Sequence, residues 1–250
     1  MTSRYRQIVE TAIENMKEDA HSDRKLFLEA LDVYSNFLEN VKPYLNEDEI
    51  ITDSAKGTST QVDTEHGKLT ISVSLESDAS QVGVYYPDFT AIELYIKAIY
   101  DIEDQTIRIE DPVTNEENVT GINAKFLYKI LCSKAVQEVF IHEYTHFVDD
   151  KVNYPMRKQA SDNQKKDYYN KPYELNAHYM SWLLNIVGST FKKYGKVMKD
   201  LTADERLDFL KNVWRQDEDF MNYYNKLNSD TKKRFMSRLY NYFSTDFWKE

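Results

Sequence analysis

The segment from Val136 to Asp150 reads Val-Gln-Glu-Val-Phe-Ile-His-Glu-Tyr-Thr-His-Phe-Val-Asp-Asp, and it constrains the chain more than any other stretch. Val139, Phe140, Ile141, Phe147 and Val148 make it a largely buried helix, and such a helix seldom carries two histidines without a role. His142 and His146 are four residues apart, so they share one face about 6 Å apart along the axis. Both imidazoles can then reach a single metal ion. Glu143 follows the first histidine, where its carboxylate can take a proton from a metal-bound water.

Composition narrows the setting for this motif. Hydrophobic residues make up 41% of 250 residues, with 19 Tyr and 12 Phe, which suffices for a substantial core and excludes a disordered chain. Only 6 Gly and 5 Pro imply long helices and few tight turns. The net charge of -10 argues against a nucleic-acid-binding surface. Cys132 is the single cysteine, so no internal disulfide framework can form. It falls in an apolar run, where a buried structural thiol is expected. The N-terminus has no apolar signal core and no run approaches a membrane span, so a cytoplasmic protein is expected. Asn118-Val119-Thr120 then fits a glycosylation pattern only by coincidence.

The periodicities predict one α+β domain over residues 1–250. N-terminal helices occupy 1–50, with stripes at Ile8, Val9, Ala12, Ile13 and Met16, then at Leu26, Phe27, Ala30, Leu31, Tyr34 and Leu38. A break is expected at Ala20-His21-Ser22, with Ser22 or Asp23 as N-cap and Pro43 closing the pair. Residues 53–66 are loop or hairpin material. Alternation at Leu69, Ile71, Val73 and Leu75 predicts a strand, followed by strands over 82–86, 92–96 and 106–109 in a small antiparallel, at most mixed, sheet. A helical stretch runs from Ile122 to about Val152. Pro172 opens the next helix, Thr202-Ala-Asp-Glu205 is a capping box, and a last helix covers 230–243. Residues 191–250 are thus a C-terminal helical extension.

A catalytic zinc takes three protein ligands. Asp150 lies eight residues from His142, about 12 Å along an unbroken helix, too far to share one ion. Asp149 or Asp150 reads instead as a partner to a ligand histidine's other nitrogen, or as a solvated helix end. Glu174 and His178, one turn apart on the next helix, are the candidates, with Glu174 preferred. A first-turn glutamate also suits the helix dipole without any ligand role.

Strands containing Gly83-Val-Tyr-Tyr and Ile92-Glu-Leu-Tyr-Ile, then His-Glu-Tyr-Thr-His, then Glu174-Leu-Asn-Ala177, together resemble the minimal zinc-peptidase core of the gluzincins. The layout is similar to the ImmA/IrrE-type and related phage or prophage peptidases. The resemblance covers roughly residues 67–190 and implies a zincin-like core, a small sheet packed on the motif helix and on a following glutamate helix. It implies Zn2+ on His142, His146 and Glu174, with Glu143 as general base of an endopeptidase acting on a protein or peptide. His178, Tyr169 or Tyr173 is then expected to donate to the oxyanion, and Ile92–Ile96 to be an edge strand that pairs with substrate. The rival reading is a zincin fold kept as a catalytically silent binding or structural module. A third is a helical interaction protein with an accidental motif.

Overall fold

A computed structural model describes residues 2–45, 50–51, 59–75, 82–96, 99–101, 106–108, 122–152, 165–194, 200–213 and 218–244. The architecture is mixed α+β, and the chain divides into two compact units. One is Ala30–Asp162; the other joins Met1–Glu29 to Asn163–Glu250. Helix α1 (Thr2–Val41) contributes residues to both. It runs through the expected break at Ala20-His21-Ser22, because no glycine or proline between Thr2 and Val41 interrupts the hydrogen-bond ladder. Asp23 is therefore not an N-cap but a buried mid-helix carboxylate. A 3-10 turn over Lys42–Leu45, containing Pro43, closes the helix.

In the unit Ala30–Asp162, strands β1 (Ile50–Ile51) and β8 (Ile122–Asn123) form one short antiparallel ribbon. Strands β6 (Ile99–Asp101) and β7 (Thr106–Arg108) form another. The main sheet holds β2 (Ser59–Thr64), β3 (Gly67–Leu75), β4 (Gly83–Tyr86) and β5 (Ala91–Ile96) in the order β2-β3-β5-β4. The expected strand at 106–109 thus exists but lies outside this sheet.

Nor is the sheet purely antiparallel. Strand β5 pairs parallel to β3 and antiparallel to β4, since the chain makes β4 at the edge and then returns through a hairpin to fill the gap. This corrects the expectation that Ile92–Ile96 is an edge strand. β5 is central, and the edges belong to β2 and β4. The polar stretch before Gly67 supplies β2, whose hairpin with β3 turns at Glu65-His66 and uses Gly67 at φ 113°, where a side chain would be strained.

Alternation sorts the sheet into two faces. Leu69, Ile71, Val73, Tyr85, Ile92, Leu94 and Ile96 are buried. Helix α3 (Lys134–Val152) packs on this side, against β4 and β5. The registers Thr70↔Ala91, Ser72↔Glu93, Ser74↔Tyr95, Val84↔Glu93 and Tyr86↔Ala91 put the other residues on the opposite face.

Helix α2 (Ala124–Leu131) precedes α3, so the expected continuous stretch from Ile122 is broken. The chain turns at Cys132-Ser133, and Ser133 Oγ accepts the Val136 N–H at 3.4 Å, as an N-cap does. That turn exposes Cys132, contrary to the expectation of a buried thiol. Tyr34 anchors α1 here, its hydroxyl donating to the Leu131 carbonyl at 2.6 Å and its ring lying 4.7 Å from that of Phe140.

The second unit holds a 3-10 segment (Lys165–Asn170) and helices α4 (Pro172–Tyr194), α5 (Ala203–Val213), α6 (Glu218–Lys226) and α7 (Ser229–Ser244). Pro172 opens α4 as expected. Thr202 and Glu205 exchange reciprocal capping bonds at 2.8 and 3.2 Å before α5. Arg206 is fully buried and ties α5 to the end of α7 by donating to the Phe243 and Leu201 carbonyls. No helix among the described residues is long and apolar enough to cross a membrane. His21 and Asn118–Thr120 lie outside the residues whose side chains are described.

Candidate functional site

Helix α3 continues through Asp150 to Val152, which leaves His142, Glu143 and His146 in regular helical relation. The Nε2 atoms of His142 and His146 are 3.2 Å apart, with the ring planes at 88°. His146 is buried and His142 half-buried. Two imidazole nitrogens sharing a tetrahedral zinc at about 2.05 Å each stand about 3.3 Å apart. The pair therefore fits one such ion in separation and in the convergence of Nε2 on Nε2.

Glu143 is placed by the sheet. The Tyr85 N–H, on the edge of β4 away from β5, donates to Glu143 Oε2 at 2.8 Å. This contact needs close approach of strand and helix, and Gly83 provides it. A Cβ at position 83 would lie 2.4 Å from Val139 Cγ1 and 3.2 Å from Glu143 Cγ. An isolated glycine in a strand pattern signals such an approach. The sequence thus held a sign of this contact that the motif alone did not.

Further along α3, Asp150 accepts from the Tyr85 hydroxyl at 3.0 Å, while Lys151 Nζ stands 3.9 Å away. Asp149 is buried, so it is no solvated helix end. Neither expectation for this pair predicted that Asp150 would bond the strand's tyrosine.

In the unit containing α4, Glu174 occupies the first helical turn and is 4% exposed. Burial pushes its carboxyl up to about 7, against the lowering effects of the Tyr168 hydroxyl and the Lys171 charge. His178, one turn on, is driven down to about 4 by burial and then by the Lys226 charge, so it is a neutral imidazole near neutral pH. Its ring lies 4.1 Å from that of Tyr223, on α6, and 6.1 Å from that of Tyr169. Lys226 completes the group, donating to the Tyr169 hydroxyl at 3.1 Å and lying over its ring.

Of the three oxyanion donors expected, His178 and Tyr169 thus fall in one cluster. Tyr173 instead has Lys171 over its ring. Tyr223 was not anticipated, and nothing in the local pattern of α6 marks it. Burial, then the nearby Glu174 carboxylate, raises its phenol pKa well above the ordinary value. By type, His142, His146 and Glu174 offer two imidazole nitrogens and a carboxylate oxygen, a donor set that could hold a metal ion.

No family model, curated protein or solved structure matches this chain.

Proposed function

We propose that this protein is a zinc-dependent endopeptidase of the gluzincin type, with His142, His146 and Glu174 as ligands and Glu143 as general base. The observation that carries the reading is the 3.2 Å separation of the two Nε2 atoms beside a glutamate already oriented by Tyr85. When bound, zinc supplies Lewis acidity, polarising the scissile carbonyl and lowering the pKa of water.

The chain's own groups do the rest. Glu143, oriented by the Tyr85 N–H at Oε2, takes the proton of the attacking water and returns it to the leaving amine. His178 is a neutral imidazole near pH 7, the form that donates a ring N–H to a developing oxyanion. Strand β4, not β5, is the edge strand that lies against the motif helix. A silent binding module of the same fold would not need Glu143 as a base, and no observation favours it.

Metal content tests the reading. Protein purified without added metal is expected to hold one zinc per chain, lost in His142→Ala and weakened in Glu174→Ala. Zinc kept in Glu174→Ala but lost in His178→Ala would move the third ligand. No zinc even after it is offered would overturn the proposal.

A further inference from the structure

The face of the main sheet opposite α3 carries a second group of reactive side chains. A cavity of about 240 Å³ is lined by Ser72, Tyr86, Phe89, Ala91 and Glu93. Register places Ser72, Glu93, Ala91 and Tyr86 side by side on three adjacent strands, while the motif helix covers the other side. This cavity is therefore separate from Glu143 and the two histidines.

The hydroxyl protons around Glu93 are already committed. Ser74 Oγ donates to Glu93 Oε1, and the Tyr95 hydroxyl donates to Glu93 Oε2 at 2.9 Å. Tyr95 has then spent its only proton, so in its contact with the Tyr86 hydroxyl Tyr86 is the donor. Burial first, then these hydrogen bonds and the Glu93 charge, hold the Tyr95 phenol well above its ordinary pKa, so it keeps that proton. Two hydroxyl protons thus go to the carboxylate, and the third, from Tyr86, goes to the Tyr95 oxygen. Each carboxylate oxygen has a second lone pair left to accept with.

What remains is one half-buried carboxylate in a mostly apolar cavity, beside aromatic faces. Phe89, 78% exposed, stands on the rim in the turn between β4 and β5. That turn is unusual, because Thr90, a β-branched residue, is held at φ 49°. The Thr70 N–H bonds the Thr90 carbonyl and Lys151 bonds its hydroxyl. Among the described residues, no lysine or arginine forms an ion pair with Glu93.

We propose that this cavity binds an organic cation of the alkylammonium or guanidinium type, seated on Glu93 and covered by Tyr86 and Phe89. Such a group brings donors and a positive charge to the Glu93 carboxylate, its alkyl part suits the mostly apolar lining, and its charge is attracted by the ring faces. The chain's net charge of -10 favours the approach of cations in general. Selectivity has to come from the fixed carboxylate and the rings.

The test uses the full chain, with n-butylguanidinium, n-butylammonium and the neutral n-butylurea as probes. Titrations followed by backbone amide NMR should show saturable shifts at Ser72, Tyr86, Phe89 and Glu93 with both cations and none with the urea. Glu93→Gln should abolish the shifts. Phe89→Ala, at an exposed position that should leave folding intact, should weaken binding about tenfold. An acetylated, amidated Gly-Arg-Gly peptide binding tighter than butylguanidinium assigns the cation to a polypeptide side chain; equal affinity assigns it to a small free cation. Saturable binding of butylurea, unchanged binding in both variants, or no shifts at these residues would overturn the proposal.

Discussion

The Tyr85 backbone N–H donates to Glu143 Oε2 at 2.8 Å across the gap between strand β4 and helix α3. An edge strand has donors that no neighbouring strand can use. Here one of them fixes the carboxylate that the motif places next to His142. The same residue's side chain bonds Asp150, two turns further along the helix, so Tyr85 holds α3 at two points.

The first prediction concerns that carboxylate. Glu143→Gln keeps the side chain's size and an oxygen to accept the Tyr85 N–H, but removes the base. It should hold as much zinc as the parent and lose peptide hydrolysis by about 10² to 10⁴-fold. Single-turnover assays on a generic protein substrate, beside metal analysis, decide the matter. Full residual activity would remove Glu143 from the mechanism.

A second prediction follows from Gly83. A methyl there would meet Val139 Cγ1 at 2.4 Å, and valine in a helix has essentially one χ1 rotamer, so it cannot turn aside cheaply. Gly83→Ala should cost about 1–3 kcal/mol and displace β4 from α3. Denaturant midpoints measure this, and adding Val139→Ala should recover part of the loss. If the double variant is no better than the single one, the clash is not the cause.

The motif helix, the capping box at Thr202 and the helix opened by Pro172 were legible in the sequence because each rests on local rules: periodicity, reciprocal hydrogen bonds, proline at a first turn. The alternation at Leu69–Leu75 likewise gave β3 and its buried face. Strand order was not legible. Nothing local in Ile92–Ile96 tells a central strand from an edge one, because the answer depends on the gap left between β3 and β4, which β5 fills. The break at Ala20-His21-Ser22 was wrongly expected, since a change of hydrophobic stripe bends the pattern without stopping the backbone. His178 stood out in the sequence through its spacing from Glu174. Tyr223 comes from a different helix and could be found only by folding.

A third prediction concerns the polar group inside the helical unit. Arg238, on α7, forms a two-pronged pair with the buried Asp23 of α1, bonds the Asn176 side chain of α4 and lies 4.0 Å over the Tyr179 ring. Arg238→Ala strands Asp23 in the interior and should cost about 3–5 kcal/mol. The double variant with Asp23→Asn should recover much of it. Thermal melts of the set test this; a single variant as stable as the parent would show the pair to be inert.

The last prediction is a pH dependence, set by two groups of opposite sign. Glu174 is raised from 4.5 to about 7, so between those values the unfolded chain has lost a proton that the metal-free fold retains. Stability then falls as pH rises through that window, by on the order of 3 kcal/mol at most, and the loss is complete above about 7. His178 is lowered from 6.5 to about 4, so there the unfolded chain holds the extra proton and stability rises with pH between those values. The two slopes oppose one another between about 4.5 and 6.5, and the parent's profile should be shallow there. Glu174→Gln removes only the falling component, so metal-free Glu174→Gln should gain stability relative to the parent as pH climbs from 4.5 to 7. Urea midpoints for both proteins in chelator across that range measure the difference. A constant difference between the two curves would mean that Glu174 titrates at its ordinary value. Zinc binding should show the converse, tightening as pH rises towards 7, because the ion takes the carboxylate form that burial disfavours.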